Sequence, residues 1–410
     1  MAENAKFGYA AFKNMGGKLP NPFPRTMGPN VLKYVTEVVE SGLTSDMVER
    51  FEQAFAKKMG KAHTVSAPGC SNALYCLAEG LSFPAGSEII FSPITDFGTL
   101  LGFYKTGYIP VFADTAPGSM NVSAETISKK ITERTRAIVV VHFSGLMCDM
   151  DPIVELAKKH NLVLVEDACQ AIMSTYKGRL AGTIGDVGAF SFDSEKNVGS
   201  DVGGCFITDN SELDSRARFT SIARGGEVKP GYGRVHTFPG SAFRMPLLTA
   251  AFTLGQLDIL DEVAAKRNHA VRTLLRKVST IPGILIEQVP DYQEVYSSWM
   301  FGFRIEPDAF SCTTEEFGVE CDALGFTGLS PARYYLIPEA CVFLQKDADA
   351  GSYPFNLSKE SYNYDADETP NAKEYMSGFL RSCYISEKFT DDYVEIAYQI
   401  IKEVADKYRM

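Results

Sequence analysis

The chain has 410 residues, 45% of them hydrophobic, which is enough to bury a large core and to divide into two domains. Its 51 acidic residues outnumber 40 Lys and Arg for a formal net charge of −11, so no basic excess exists to hold a phosphate backbone, and nucleic acid is set aside as the main ligand. Nine cysteines with no C-x-x-C pair and no metal-type spacing to the five histidines predict reduced thiols in a cytosolic protein and no metal site.

In chain order, the opening stretch MAENAKFGYAAFKNMGGKLPNPFPR has no apolar core of signal-peptide length. No later stretch reaches the roughly 18 unbroken apolar residues of a membrane span. The expectation is a cytoplasmic protein without membrane contact. From about residue 60 to 210, short β-branched runs alternate with helical patterns. TVSAPGCSNALYCLAEGLS passes from a short strand through Pro68-Gly69-Cys70 into a helix starting near Ser71. SEIIF, IPVFAD, RAIVVVHF, LVLVEDA, GAFSF and GCFITD read as strands, and MDPIVELAKKHN as a helix with Ile153, Leu156 and Ala157 on one face. Such alternation predicts an α/β fold with a mostly parallel sheet covered on both sides and ligands gathered at the carboxyl ends of its strands.

Beyond about residue 255 the pattern changes. LGQLDILDEVAAKRNHAVRTLLRKVSTIPG predicts a long amphipathic helix ending before Pro282-Gly283, mixed elements follow, and TDDYVEIAYQIIKEVADKY closes the chain as a helix. The expected division is a large domain over 1–255 and a smaller α+β domain over 256–410. The acidic, Tyr-rich and turn-rich segment from Gln345 to Tyr375 predicts an exposed loop, either a solvated insertion or a functional one.

Three places could carry chemistry. In LVLVEDACQA a buried apolar strand runs into Glu166-Asp167, and a carboxylate there either meets a cationic or hydrogen-bonding partner or caps the next helix. The helix start at Cys70-Ser71 either holds an anion with its backbone N–H groups or is merely capped. SFDSEKNVGSDVGG follows a strand as an irregular loop bearing Ser191 and Lys196, and the lysine is either a solvated charge or a reactive amine. Acid, anion cradle and lysine in one α/β layer match the needs of pyridoxal 5'-phosphate, whose aldehyde bonds a lysine while its ring nitrogen pairs with an acid.

The order and wording of these segments resemble the DegT/DnrJ/EryC1/StrS aminotransferases, fold-type I enzymes that use this cofactor and often aminate keto-sugars. The likeness runs from SGLTSDMVERFEQAFAKKMGKAHTVSA to the last helix and is most specific in EDACQA, YKGRLAGTIGDVGAFSF, the lysine and the GG pair. It implies an aspartate-aminotransferase-like fold with a seven-stranded sheet. It makes Lys196 the lysine that bonds the cofactor and shuttles the proton, pairs Asp167 with the ring nitrogen, and sets Gln170 near the ring's phenolic oxygen. Ser191, Cys70 and Ser71 would bind the phosphate. His142 matches a histidine near the active site, although a satisfied core histidine reads equally well. Arg244 matches the arginine of a segment that enters the partner subunit's site, which implies a homodimer.

Three positions depart from the pattern. Ala242 stands where relatives often have Asn, and Asp96 stands where the ring-stacking aromatic is expected, with Phe97 one residue later. Val202 replaces a carboxylate. The implied function is transfer of an amino group from glutamate or glutamine to a keto or aldehyde sugar carried on a nucleotide. A sugar 3-dehydratase of similar sequence characteristically has histidine in place of the lysine, and a non-catalytic regulatory paralogue would lose the lysine or the acid. A nicotinamide oxidoreductase would need the glycine fingerprint that is absent after the first strand.

Overall fold

Each β-branched run is cut short by a glycine, a proline or a helix start, so the strands are brief. The computed structural model describes residues 17–326, 328–329 and 334–410, and most of the opening stretch read for a leader lies outside the described residues. The strands in chain order are β1 (His63–Ala67), β2 (Glu88–Phe91), β3 (Ile109–Phe112), β4 (Thr135–Val141), β5 (Val163–Asp167), β6 (Thr175–Tyr176) and β7 (Arg179–Leu180). They continue with β8 (Val187–Ser191), β9 (Gly204–Thr208), β10 (Gly226–Lys229), β11 (Gly233–His236), β12 (Ile284–Leu285), β13 (Phe301–Ile305) and β14 (Phe379–Ser382).

Seven strands make one sheet in the order β1-β9-β8-β5-β4-β2-β3, and β9 alone runs against its neighbours. This is the mostly parallel sheet the alternating pattern predicts. Side chains alternate between two cores, as the two-residue period requires. Ile90, Ile138, Val140, Leu164 and Phe190 pack with Phe51 and Phe55 of the helix Met47–Met59 and with Ile153 of the helix Met150–His160. Phe91, Val139, Val165 and Ala189 pack with Leu74 and Leu77 of the helix Cys70–Leu81 and with Leu100 of the helix Gly98–Thr106. Burial on both faces explains why these strands read as continuous apolar runs.

A second, three-stranded antiparallel sheet, β12-β13-β14, lies under the helices Leu260–Val278 and Asp391–Tyr408 through Val271, Leu274, Phe301, Phe303, Val394 and Ile401. The expected long helix is broken. The helix Leu247–Gln256 ends, Leu257–Ile259 tighten into a 3₁₀ turn, and Leu260–Val278 continues. We retain the division into 1–255 and 256–410 as a proposal; its cut falls at the last turn of the helix Leu247–Gln256.

The Gln345–Tyr375 segment is corrected from an exposed loop to an ordered cover over the edge of the large sheet. Tyr364, 5% exposed, donates its hydroxyl to the Pro110 carbonyl at 2.7 Å and packs edge-on against Phe112. Tyr362 bonds Glu88 at one end of β3, and the backbone N–H groups of Asn371 and Ala372 bond Asp114 at the other. Proline within an edge strand and an aromatic cover both remove a pairing surface that would invite another strand.

Candidate active site

The carboxyl ends of β1, β5 and β8 converge on one side of the large sheet. After β1 the chain passes through an extended Gly69 directly into the helix Cys70–Leu81, whose start carries no side-chain cap. Gly204 pairs with Ala67 on one side and Ser191 on the other, and a Cβ on it would lie 2.3 Å from the Cys70 backbone nitrogen. Glycine therefore lets β9 pass close enough to set Ser191 beside the helix start. Cys70, Ser71 and Ser191 are all half-buried. The Ser71 and Asp96 side chains meet over Gly98, where a Cβ would fall 2.2 Å from Ser71 Oγ and 2.9 Å from Asp96 Oδ1.

Adjacent carboxylates on β5 face opposite ways. Glu166, fully buried, accepts from the backbone N–H groups of Gly182, Ile184 and Gly185 at 2.6–2.9 Å and sits 2.9 Å from His142 Nε2. Burial alone would push its carboxyl up, but His142 and these N–H groups outweigh that and hold it below the ordinary value. Asp167, 4% exposed, accepts among the described residues from the Thr99 hydroxyl at 2.7 Å and the Cys169 N–H at 3.1 Å. Among the described residues no cation pairs with it, and a carboxylate has about four acceptor positions. A buried anion with two neutral donors lacks a positive partner.

Lys196 Nζ lies 3.4 Å from the centroid of the Trp299 ring and forms no ion pair among the described residues. Its loop is fixed by the backbone. The Lys196 carbonyl accepts from Arg25 Nη2 at 2.7 Å, the Glu195 carbonyl accepts from Trp299 Nε1 at 3.1 Å, and Asn197 Nδ2 donates to both the carbonyl and hydroxyl of Ser297. Trp299 meets Tyr334 edge-on at 6.2 Å, and Tyr334 Oη accepts from Gln170 Nε2 at 3.1 Å, while Gln170 Oε1 accepts from the Ser144 N–H. The chain of contacts from Lys196 thus returns to the residues just after Asp167. Cys169 closes the remaining side, its Sγ 2.9 Å from Cys70 Sγ. Burial, Cys70 and Asp167 push the Cys169 thiol up while Lys196 pulls it down, so the charges of the acid and the amine both reach this one sulfur.

Of the other expected residues, Asp96 borders this cluster beside Ser71, and the rest lie outside it. His142 is 0% exposed, its Nδ1 accepting from the Cys148 N–H and its Nε2 facing Glu166, so it is a satisfied core histidine with no edge free for a substrate. Asp96 accepts from the Gly98 N–H and so opens the helix Gly98–Thr106, and Phe97 packs edge-on against Phe343; neither is set as a stacking ring. Arg244 and Ala242 are exposed ahead of the helix Leu247–Gln256, and Val202 is 42% exposed. A cavity of about 760 Å³ between the sheet edge and the 360–369 stretch shares no lining residue with this cluster, and its two cations are paired, Arg134 with Glu88 and Lys130 with Glu368.

Sequence reasoning missed Thr99, Trp299 and Tyr334. One signal was available: Trp299 is the single tryptophan of the chain. Thr99 and Tyr334 carry no local mark, because their roles arise only when distant segments meet.

The residues present fit pyridoxal phosphate: among the described residues, a buried carboxylate pairs with no cation, an amine pairs with no anion, and a helix start without a side-chain cap is flanked by hydroxyls. The family model of the DegT/DnrJ/EryC1/StrS aminotransferase family matches residues 25–324. The spore coat polysaccharide biosynthesis protein SpsC of Bacillus subtilis (strain 168) is 35% identical over 284 residues, 67% of this chain and 72% of that protein. The GDP-perosamine synthase of Caulobacter vibrioides is 31% identical over 307 residues, 74% and 81% respectively. The solved aminotransferase from Psychrobacter cryohalolentis superposes with a TM-score of 0.78 at 26% identity, covering 95% of this chain and 99% of that one.

Proposed function

The chain belongs to the DegT/DnrJ/EryC1/StrS aminotransferase family and is a pyridoxal-phosphate-dependent aminotransferase; from that premise we propose that it moves the amino group of glutamate or glutamine to a keto or aldehyde carbon of a nucleotide-linked sugar. What supports the site reading is Asp167, a buried carboxylate that meets no cation among the described residues and whose charge reaches Cys169 together with that of the Lys196 amine.

When bound, the cofactor supplies an aldehyde that takes up an amine and an electron-poor ring that draws electrons from the carbon beside the nitrogen. In this reading Cys70, Ser71 and Ser191 hold its phosphate against the positive end of the helix Cys70–Leu81. Asp167, steadied by Thr99, keeps the ring nitrogen protonated, and Gln170 orients the phenolic oxygen. Lys196 Nζ would be the amine that holds the aldehyde. With the donor in place Nζ would take the proton from the donor's α-carbon, and with the acceptor in place it would return a proton to the sugar carbon that receives nitrogen. Trp299 covers Lys196 and keeps the amine aimed. Arg244, exposed in this chain, reaches the site of a second copy, and a homodimer is the proposed assembly, to be checked by sedimentation equilibrium.

Among the described residues no helix is long and apolar enough to cross a membrane, and a cytoplasmic location is part of the proposal. The retained lysine argues against the dehydratase reading, and the retained lysine and acid argue against a regulatory paralogue. The test is a panel of keto-sugars and their nucleotide conjugates with glutamate or glutamine as donor. The expected outcome is an aminated sugar with stoichiometric 2-oxo acid; dehydrated sugar with no 2-oxo acid would replace this reading by the dehydratase.

A further inference from the structure

Cys70 and Cys169 come from segments 99 residues apart, yet their sulfurs stand 2.9 Å from each other. Cys70 is the first residue of the helix Cys70–Leu81, and Cys169 follows Asp167 by two positions and donates its N–H to that carboxylate. Cys169 Sγ also lies 3.9 Å from the carbonyl of Ala189 on β8, the strand that carries Ser191. The two thiols thus join the acid's strand to the helix start.

The other cysteines are placed differently. Cys76, Cys148, Cys205, Cys321 and Cys341 are buried, Cys312 and Cys383 are half-buried, and among the described residues none of these seven bonds a second thiol. Cys70 and Cys169 are both half-buried, so a small solute can reach the pair. A disulfide holds its sulfurs about 2.05 Å apart, and closing the bond asks for a movement of less than about 1 Å. A thiolate on Cys70 would lie at the positive end of its helix, where no side-chain cap competes. Burial, Cys70 and Asp167 keep the proton on Cys169. Cys70 is therefore the thiol to be oxidised first, and Cys169 the one that resolves it.

We propose that Cys70 and Cys169 form a reversible disulfide under a hydroperoxide, and that this bond loosens the hold on the cofactor's phosphate. With hydrogen peroxide, the Cys70 sulfur takes one oxygen as the O–O bond breaks, and the other oxygen leaves as water. The Cys169 sulfur then displaces the oxygen from Cys70, and that oxygen leaves with the Cys169 proton as a second water. Two thiols lose two electrons and one peroxide gains them. The bond draws Cys70 toward β5, and so moves the first N–H groups of the helix relative to Ser191. One charge-assisted hydrogen bond lost to a phosphate is worth about 10-fold in affinity or more. This coupling rests on the site reading in which Cys70, Ser71 and Ser191 hold the phosphate.

Holoenzyme treated with an equivalent of hydrogen peroxide, blocked with N-ethylmaleimide and digested without reductant should yield the Cys70 and Cys169 peptides linked to each other. Dithiothreitol should separate them, and Cys169→Ala should never give them. Consumption of the peroxide with the two peptides unlinked overturns the proposal. The coupling is read by pyridoxal phosphate binding, followed at its visible absorbance. Oxidation should lower the affinity at least about 10-fold in the wild type and leave it within about twofold in Cys169→Ala; if that variant does not fold, Cys169→Ser carries the comparison. Linkage is reciprocal, so saturating cofactor should raise the midpoint of a glutathione redox titration by about 30 mV for each factor of 10. Ser191→Ala tells the two readings apart. An unchanged cofactor affinity there refutes the phosphate cradle, whereas a loss of about 10-fold there, with equal affinities of oxidised and reduced wild type, overturns this inference alone.

Discussion

The two faces of β5 hold neighbouring carboxylates in opposite conditions. Glu166 meets three backbone N–H groups and an imidazole, and nothing more can be added to it. Asp167, one residue on, meets one hydroxyl and one N–H and, among the described residues, no cation. Both are buried, so burial does not distinguish them; the distinction lies in which charge the chain has already neutralised, and on it rests the proposal that Asp167 is the acid of the site.

Substitutions sharpen the contrast, the amine first. Lys196→Ala should lower turnover by about 10⁴-fold or more and remove the cofactor's visible absorbance, because it deletes both the covalent anchor and the proton carrier; steady-state assay and spectrum check it. Glu166→Gln should cost about 3–5 kcal/mol of stability by chemical denaturation while largely sparing kcat in the protein that remains folded, because it turns an amide N–H toward donors and leaves His142 unmatched.

That loss has a pH signature. The Glu166 carboxyl is held below its ordinary value in the folded chain. Its contribution is thus fully present above the unfolded value and is lost as pH falls through the folded one, so the gap between wild type and Glu166→Gln should close on acidification. Asp167→Asn should do the reverse of Glu166→Gln, leaving the denaturation midpoint nearly unchanged and lowering kcat by roughly 10²-fold. Trp299→Phe is the mildest, with a roughly 2- to 10-fold loss in kcat/KM, since phenylalanine keeps a ring under the amine but not the N–H bond to Glu195.

Much of this was legible before any coordinates. The strand and helix alternation gave the parallel sheet, because apolar runs of that length, buried on both faces, have few other solutions. Lys196, Asp167, Gln170 and Ser191 were marked by their places at strand ends and by the family resemblance. What was not legible depended on long-range packing. His142 was ambiguous because its partners are 6 and 24 residues away in sequence. The Gln345–Tyr375 segment read as a loop because its charge hides two tyrosines whose burial against Pro110, Phe112 and Glu88 no local pattern announces. The break at Leu257–Ile259 escaped because no glycine or proline lies within it and Gly255, two residues earlier, is still helical.

The most direct measurement is to reduce the yellow holoenzyme with borohydride, digest it and map the pyridoxyl adduct by mass spectrometry. The expected result is one modified peptide, carrying the label on Lys196, with the label absent from Lys196→Ala. A label on any other lysine, or an unlabelled Lys196 peptide from fully loaded enzyme, would contradict the account.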